Sequence, residues 1–221
     1  MLPGYQEARH NVRHQVLDTV EVLAKANIDA LNALETSDAN KLEEVRKTLK
    51  IASKTTEKID NDIVLIFARY TPEAKDLREM VSYLKITSAI NRIKGNINNY
   101  LKNMQSMLAE EDSNIIQFIK ESLSINRCTI NAFGKTLEMF RTFDDNGKVK
   151  QLAIEIEVEY AKTDDIYALL EKSVVQKMGE ADGKAEEYFN LLKYIRKNLK
   201  IIDRLDSMAQ RIIFARMGGK L

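Results

Sequence analysis

The sequence predicts an all-α protein, built as two tandem three-helix bundles of long antiparallel helices. Three observations carry this. Apolar residues recur three and four apart through most of the 221 positions, the period of an amphipathic helix. Only eight glycines and two prolines punctuate the chain, too few for the turns of a sheet-rich fold. The breaks between periodic segments carry capping and turn residues rather than long loops.

The first helix is expected over Tyr5 to Leu34, with Val12, Val16, Val20, Leu23, Ala30, Leu31 and Leu34 on its apolar stripe. Asn27 interrupts that stripe, a placement that can fix helix register. Ser37 or Asp38 can cap the next helix, which runs to about Tyr70 with Val45, Leu49, Ala52, Thr56, Ile59, Ile63 and Ile66 on its seam. Some 30 helical residues span roughly 45 Å, a length natural to a bundle. Pro72 forces a change of direction, because it lacks an amide hydrogen and pushes Thr71 out of the α region. A third helix is expected from about Pro72, capped by the Thr71 hydroxyl. Leu77, Met80, Val81 and Leu84 start its stripe; Ile86, Ile90, Ile93, Ile97, Leu101 and Met104 continue it. Gly95 costs this helix about 1 kcal/mol relative to alanine and marks a point where another helix could approach closely. Glu110-Glu111-Asp112-Ser113 reads as a polar linker.

The plan then repeats. Ile119, Leu123, Ile130, Phe133, Leu137 and Phe140 line a fourth helix, with Asn126 on the seam. Asp144-Asp145-Asn146-Gly147 is a strong turn signal. A fifth helix carries Leu152, Ile156, Tyr160, Ile166, Leu170 and Val174, ending near Met178-Gly179, with Asp182-Gly183 in the connection. A sixth carries Tyr188, Leu191, Ile195, Leu199, Ile202, Leu205, Ala209 and Ile212, closed by Gly218-Gly219. The two repeats are expected at 1–110 and 111–221.

Composition excludes several function classes. A net charge of +1 argues against a nucleic-acid binder. One cysteine, Cys128, forms no internal disulfide and suits a reducing compartment. The N-terminus lacks the apolar run of a signal peptide, and no window suits a membrane span. A cytoplasmic protein without direct membrane insertion is expected. His10 and His14 share a helix face and could ligate zinc, but no HExxH glutamate accompanies them; they read as solvated helix-start residues. Cys128 has no histidine near it in sequence and reads as an inert thiol. No phosphate-cradling glycine loop is present. Carboxylates on facing helices can assemble a di-metal site, and Glu155, Glu159, Asp60, Asp62, Asp203 and Asp206 are the candidates. A charged outer face is the simpler reading. Nothing suggests an enzyme.

The stretch from Phe67 to Leu101 resembles the PhoU family, regulators of bacterial phosphate uptake and signalling. The resemblance lies in Arg69, a short turn, and then Pro72, Ala74, Asp76, Leu77 and Arg78, the family's P-x-A-x-D-L-R helix entry. Ala33 to Val45 resembles the turn between the family's first two helices, and six helices in two repeats is its architecture. As physics, Asp76 favours the positive end of its helix, Leu77 begins the apolar stripe, and Arg78 is placed to pair with another helix.

The resemblance implies a metal motif, L-E-R-I-G-D, in the third helix of each repeat. Here the first copy reads Ile90-Asn91-Arg92-Ile93-Lys94-Gly95 and the second Ile202-Asp203-Arg204-Leu205-Asp206-Ser207. Asn91, Gly95 and Ser207 replace expected carboxylates, leaving Asp203 as the candidate metal ligand, with Glu57 and Asp164 near the acidic positions of the preceding helices. A hard cation needs several oxygen ligands, so no resident cofactor is expected, and residual metal binding at most.

The resemblance further implies a non-enzymatic regulator of phosphate uptake. It would dock onto a sensor histidine kinase and the ATPase of a phosphate transporter, reach the membrane through these partners, and form a homodimer. A metal-binding helical-bundle protein, or a PhoU-like module serving a different ion transporter, are the alternatives.

Overall fold

The computed structural model describes residues 3–110, 112–180 and 183–219, without the side chains of 3 and 51–53. Glu111 and Asp182, and the side chain of Ala52, lie outside the described residues. Seven helices and no strand are found among the described residues: α1 (Pro3–Glu35), α2 (Ala39–Thr48), α3 (Lys50–Tyr70), α4 (Ala74–Ala109), α5 (Ser113–Arg141), α6 (Asn146–Glu180) and α7 (Ala185–Met217).

The seventh helix arises because the expected second helix is broken at Leu49. The Thr48 hydroxyl donates to the Val45 carbonyl at 2.7 Å, and the Leu49 amide bonds to Lys47 rather than continuing the ladder. Leu49 keeps right-handed helical torsions, φ −65° and ψ −18°. The axis is interrupted while the buried face continues through Val45, Leu49, Thr56, Ile59, Ile63 and Ile66.

Caps fall where short acidic residues permit. Asp38 accepts from the amides of Asn40 and Lys41, both at 3.1 Å. Asp112 accepts from Asn114 at 2.9 Å and Ile115 at 3.1 Å. Ser37 takes a left-handed φ of 54° instead of capping. The expected Thr71 cap is corrected: Thr71 closes α3 with a left-handed φ of 45°. Glu73 precedes α4 without a side-chain cap bond, so Pro72 lies in the connection, ahead of the helix.

Within each half the helices pack around their own apolar faces, and the halves share one core through two antiparallel pairs. The first helix of each half pairs with the other: Arg127 on α5 meets Glu35 on α1, and Arg141 meets Glu21, both at 2.6 Å. The third helices pair likewise. Arg78 near the start of α4 lies against Gly218 at the end of α7, and Arg92 and Arg204 line the same groove further along. Counterpart helices running antiparallel relate the halves by an approximate two-fold axis.

Several seam expectations change. Asn27 is buried, but its amide donates to Leu23 of its own helix at 2.9 Å, so it sets no register between helices. Asn126 does reach across, accepting from the Tyr100 hydroxyl at 3.2 Å. Leu77 is exposed and the α4 stripe starts at Met80 and Tyr83. No atom lies within 4 Å of a Cβ placed on Gly95, so no helix approaches it closely.

Candidate functional site

The helix entry at Pro72 to Arg78 is anchored by a polar network between α1 and α4. Arg9 bonds Asp76 at 2.7 Å. Arg13 bonds Glu79 at 2.9 Å and donates to the Tyr83 hydroxyl at 3.2 Å, while Tyr83 donates to Glu79 at 2.9 Å. The Glu79 side chain is 1% exposed, so its charge depends on these donors. Burial, then the Asp76 carboxylate, pushes the Tyr5 hydroxyl up to about 12. Arg13 also stacks on Phe143, its guanidinium 4.1 Å from the ring centre. Arg216 at the end of α7 stacks on the same ring at 5.0 Å and bonds Asp144 at 2.8 Å. The entry motif is therefore a structural junction that holds α1, α4, α7 and the α5–α6 turn together. Asp76 lies in the first turn of α4, paired with Arg9. Ala74 is exposed, and the Nε of Arg78 is buried beside Gly218 without a hydrogen-bond partner among the described residues. Glu79, Arg9 and Arg13 were not legible as a network, because their spacing along the chain gives no motif.

The two copies of the implied metal motif lie on opposite sides of the α4–α7 pair. In the first, Asn91 accepts from Thr56 on α3 at 3.1 Å, a neutral pair. Beside Gly95 the surface is lined by Arg46, Lys50 and Lys94, which repel a cation. These residues do not fit a metal centre. In the second, Asp203 and Asp206 approach Tyr160 on α6. Burial, then Glu157 and Asp203, raises the Asp206 carboxyl above its ordinary value. Ser207 instead lines the groove facing α4. Among the described residues no three acidic, histidine or cysteine side chains gather as a metal-binding group.

The other sequence candidates are dispersed. Glu155 pairs with Lys135 at 2.6 Å and Glu159 with Lys162 at 3.0 Å. Asp60 accepts from Thr87 at 2.6 Å and Asp62 from Gln15 at 3.0 Å. His10 and His14 stack edge to face, 4.9 Å between centres. Cys128 is buried, and desolvation, then Glu159, pushes its thiol up to about 11, away from nucleophilic use.

What remains is surface. Ile154, Val158, Leu169 and Val175 on α6 and Phe189 on α7 are exposed apolar residues. No helix among the described residues is long and apolar enough to cross a membrane.

Among the described residues the fold is an all-α bundle with exposed apolar residues on α6 and α7. Residues 16–104 match the family model of the PhoU domain. The chain is 26% identical over 205 residues to the phosphate-specific transport system accessory protein PhoU homolog of Pseudomonas aeruginosa, covering 92% of this chain and 81% of that protein. It superposes on the crystal structure of PhoU from Pseudomonas aeruginosa with a TM-score of 0.84 at 22% identity, covering 96% of this chain and 98% of the other. For the phosphate transport system regulatory protein PhoU from Streptococcus pneumoniae the TM-score is 0.75 at 17% identity, covering 98% and 99%. Residues 16–104 thus match the PhoU domain model, and the chain as a whole has the fold of these PhoU structures.

Proposed function

We propose that the protein is a non-enzymatic cytoplasmic regulator of phosphate uptake and phosphate-responsive signalling. It acts by docking onto a sensor histidine kinase and the ATPase of a phosphate transporter, restraining their activity, and it works as a homodimer without a resident metal. The observation that carries this reading is the likeness, along nearly the whole chain, to proteins named as phosphate-transport accessory and regulatory proteins. The exposed apolar residues of α6 and Phe189 offer the kind of surface that protein docking uses. Pull-down of the tagged protein from cells grown under phosphate limitation and excess tests the reading. Recovery of the kinase or the transporter ATPase supports it. Recovery of neither under both conditions overturns it.

A further inference from the structure

The groove between α4 and α7 has a composition that the regulatory reading does not use. It encloses about 250 Å³ and is lined by Lys85, Ser88 and Arg92 from α4, with Arg204, Ser207 and Arg211 from α7. Because the helices run antiparallel, Lys85 stands with Arg211 at one end and Arg92 with Arg204 at the other. Ser88 and Ser207 lie between. Four cations and two hydroxyls thus face one space, with Ala89 as its remaining lining residue.

These cations are unusual in their surroundings. From Met80 to Ala109, α4 contains no acidic residue at all. Among the described residues no carboxylate pairs with Lys85, Arg92 or Arg211, and Arg204 has only its chain neighbour Asp203, at a loose 3.7 Å. By contrast, Arg216 of α7 is held by Asp144 at 2.8 Å, and Arg13 of α1 by Glu79 at 2.9 Å. Like charges lining one concave surface focus a positive potential into it and draw in an anion. Arginine supplies a planar fork suited to phosphoryl oxygens, and serine hydroxyls donate to the same oxygens. Carboxylate ligands are served by the same fork, but two cationic pairs about 10 Å apart along the helix suit a chain of phosphoryl groups better than one small carboxylate.

We infer that this groove binds a phosphate-bearing small anion, held between Arg92 and Arg204 at one end and Lys85 and Arg211 at the other, with Ser88 and Ser207 donating to it. The inference stands on the groove alone. The docking partners could be misassigned while this binding holds, and the reverse.

Isothermal titration of the full chain, in EDTA and at constant ionic strength, tests it with tripolyphosphate, inorganic phosphate and citrate. Saturable binding of a phosphate ligand in preference to citrate is expected. Tighter binding of tripolyphosphate marks a chain spanning both ends; equal or tighter binding of inorganic phosphate marks a single tetrahedral ion at one end. Arg92→Gln with Arg204→Gln should weaken the binding at least tenfold. Arg127→Gln with Arg141→Gln removes the same charge from the α1–α5 side and should change it less than twofold. If the glutamine pair lowers the melting temperature, Arg92→Lys with Arg204→Lys keeps charge but loses the fork, and should still weaken binding severalfold. Absence of saturable binding by either phosphate ligand, equal affinity for citrate, or equal loss in the two arginine pairs would overturn the inference.

Discussion

Replacing Arg13 by leucine should destabilise the protein through Glu79. The Glu79 side chain is 1% exposed and takes its principal charged partner from Arg13 at 2.9 Å. Leucine keeps an apolar contact with Phe143, so the loss is mainly that of the charge. Removing one member of a buried pair costs about 3–5 kcal/mol. The low end applies here, because the Tyr83 hydroxyl still donates at 2.9 Å and Arg9 Nε lies 3.8 Å away. At roughly 2–4 °C per kcal/mol for a chain of this size, about 3 kcal/mol lowers the melting temperature by about 6–12 °C. Urea denaturation of Arg13→Leu, Glu79→Gln and the double variant measures the coupling. Glu79→Gln removes the stranded charge, so the double variant should be more stable than the sum of the singles by about 2 kcal/mol, well beyond the additivity of independent sites. Additivity within about 0.5 kcal/mol would refute the claim that the network is held together by this pair.

Three further outcomes are expected. Gly95→Ala should raise stability by about 1 kcal/mol, since no atom lies within 4 Å of the added Cβ; a fall in urea midpoint would show that the site is packed. Asp112→Ala should cost about 1 kcal/mol as a lost N-cap. Hydrogen bonds from Lys184, then from the Ile115 amide, hold the Asp112 carboxyl below its ordinary value of 3.8. Its stabilisation is therefore present above pH 3.8 and lost as pH falls through the lower folded value, so the variant and parent should converge in acid melting curves. With its thiol moved from an ordinary 9.0 to about 11, Cys128 should react with iodoacetamide at pH 8 about 100-fold more slowly than a free thiol; labelling at the free rate would contradict its burial.

The helices were legible because their apolar residues keep period; what stayed hidden lies where polar residues occupy the buried face. On α6 the core runs from Ile156 through Glu159, Thr163 and Tyr167 to Leu170. A hydrophobic reading bridges that gap with Tyr160 and Ile166, which are half-buried instead. On α5 the buried face includes Ser122, Thr129 and Thr136, whose hydroxyls donate to the carbonyls of Ile119, Ile125 and Ala132. Such local bonds let a polar residue be buried without a cross-helix partner, and nothing in its sequence neighbourhood announces them. The break at Leu49 escaped for the opposite reason: the seam passes through it in phase. The sites divide in the same way. Asp76 was readable as a helix-start acid, whereas Glu79 and the α4–α7 groove depend on residues brought together by the fold.

The substitutions in the metal motif and the open cations of the groove have a common cause. In each repeat the motif's arginine, Arg92 or Arg204, is followed three positions later by Gly95 or Ser207. A carboxylate there, as the PhoU resemblance implies, would stand at the i, i+3 spacing that supports an ion pair along a helix. Glycine and serine supply neither such a carboxylate nor a partner for the arginine. The approximate two-fold axis then sets the two freed arginines against the same groove, where Ser207 itself is part of the lining. With no carboxylate at 95 or 207, positive charge stands uncompensated between the helices. Restoring the acid separates the two effects. Ser207→Asp should weaken phosphate-ligand binding at least tenfold by pairing Arg204 within the groove, while Arg46, Lys50 and Lys94 keep the first copy repellent to a cation. Unchanged phosphate-ligand affinity in Ser207→Asp would show that Arg204 does not face the bound anion.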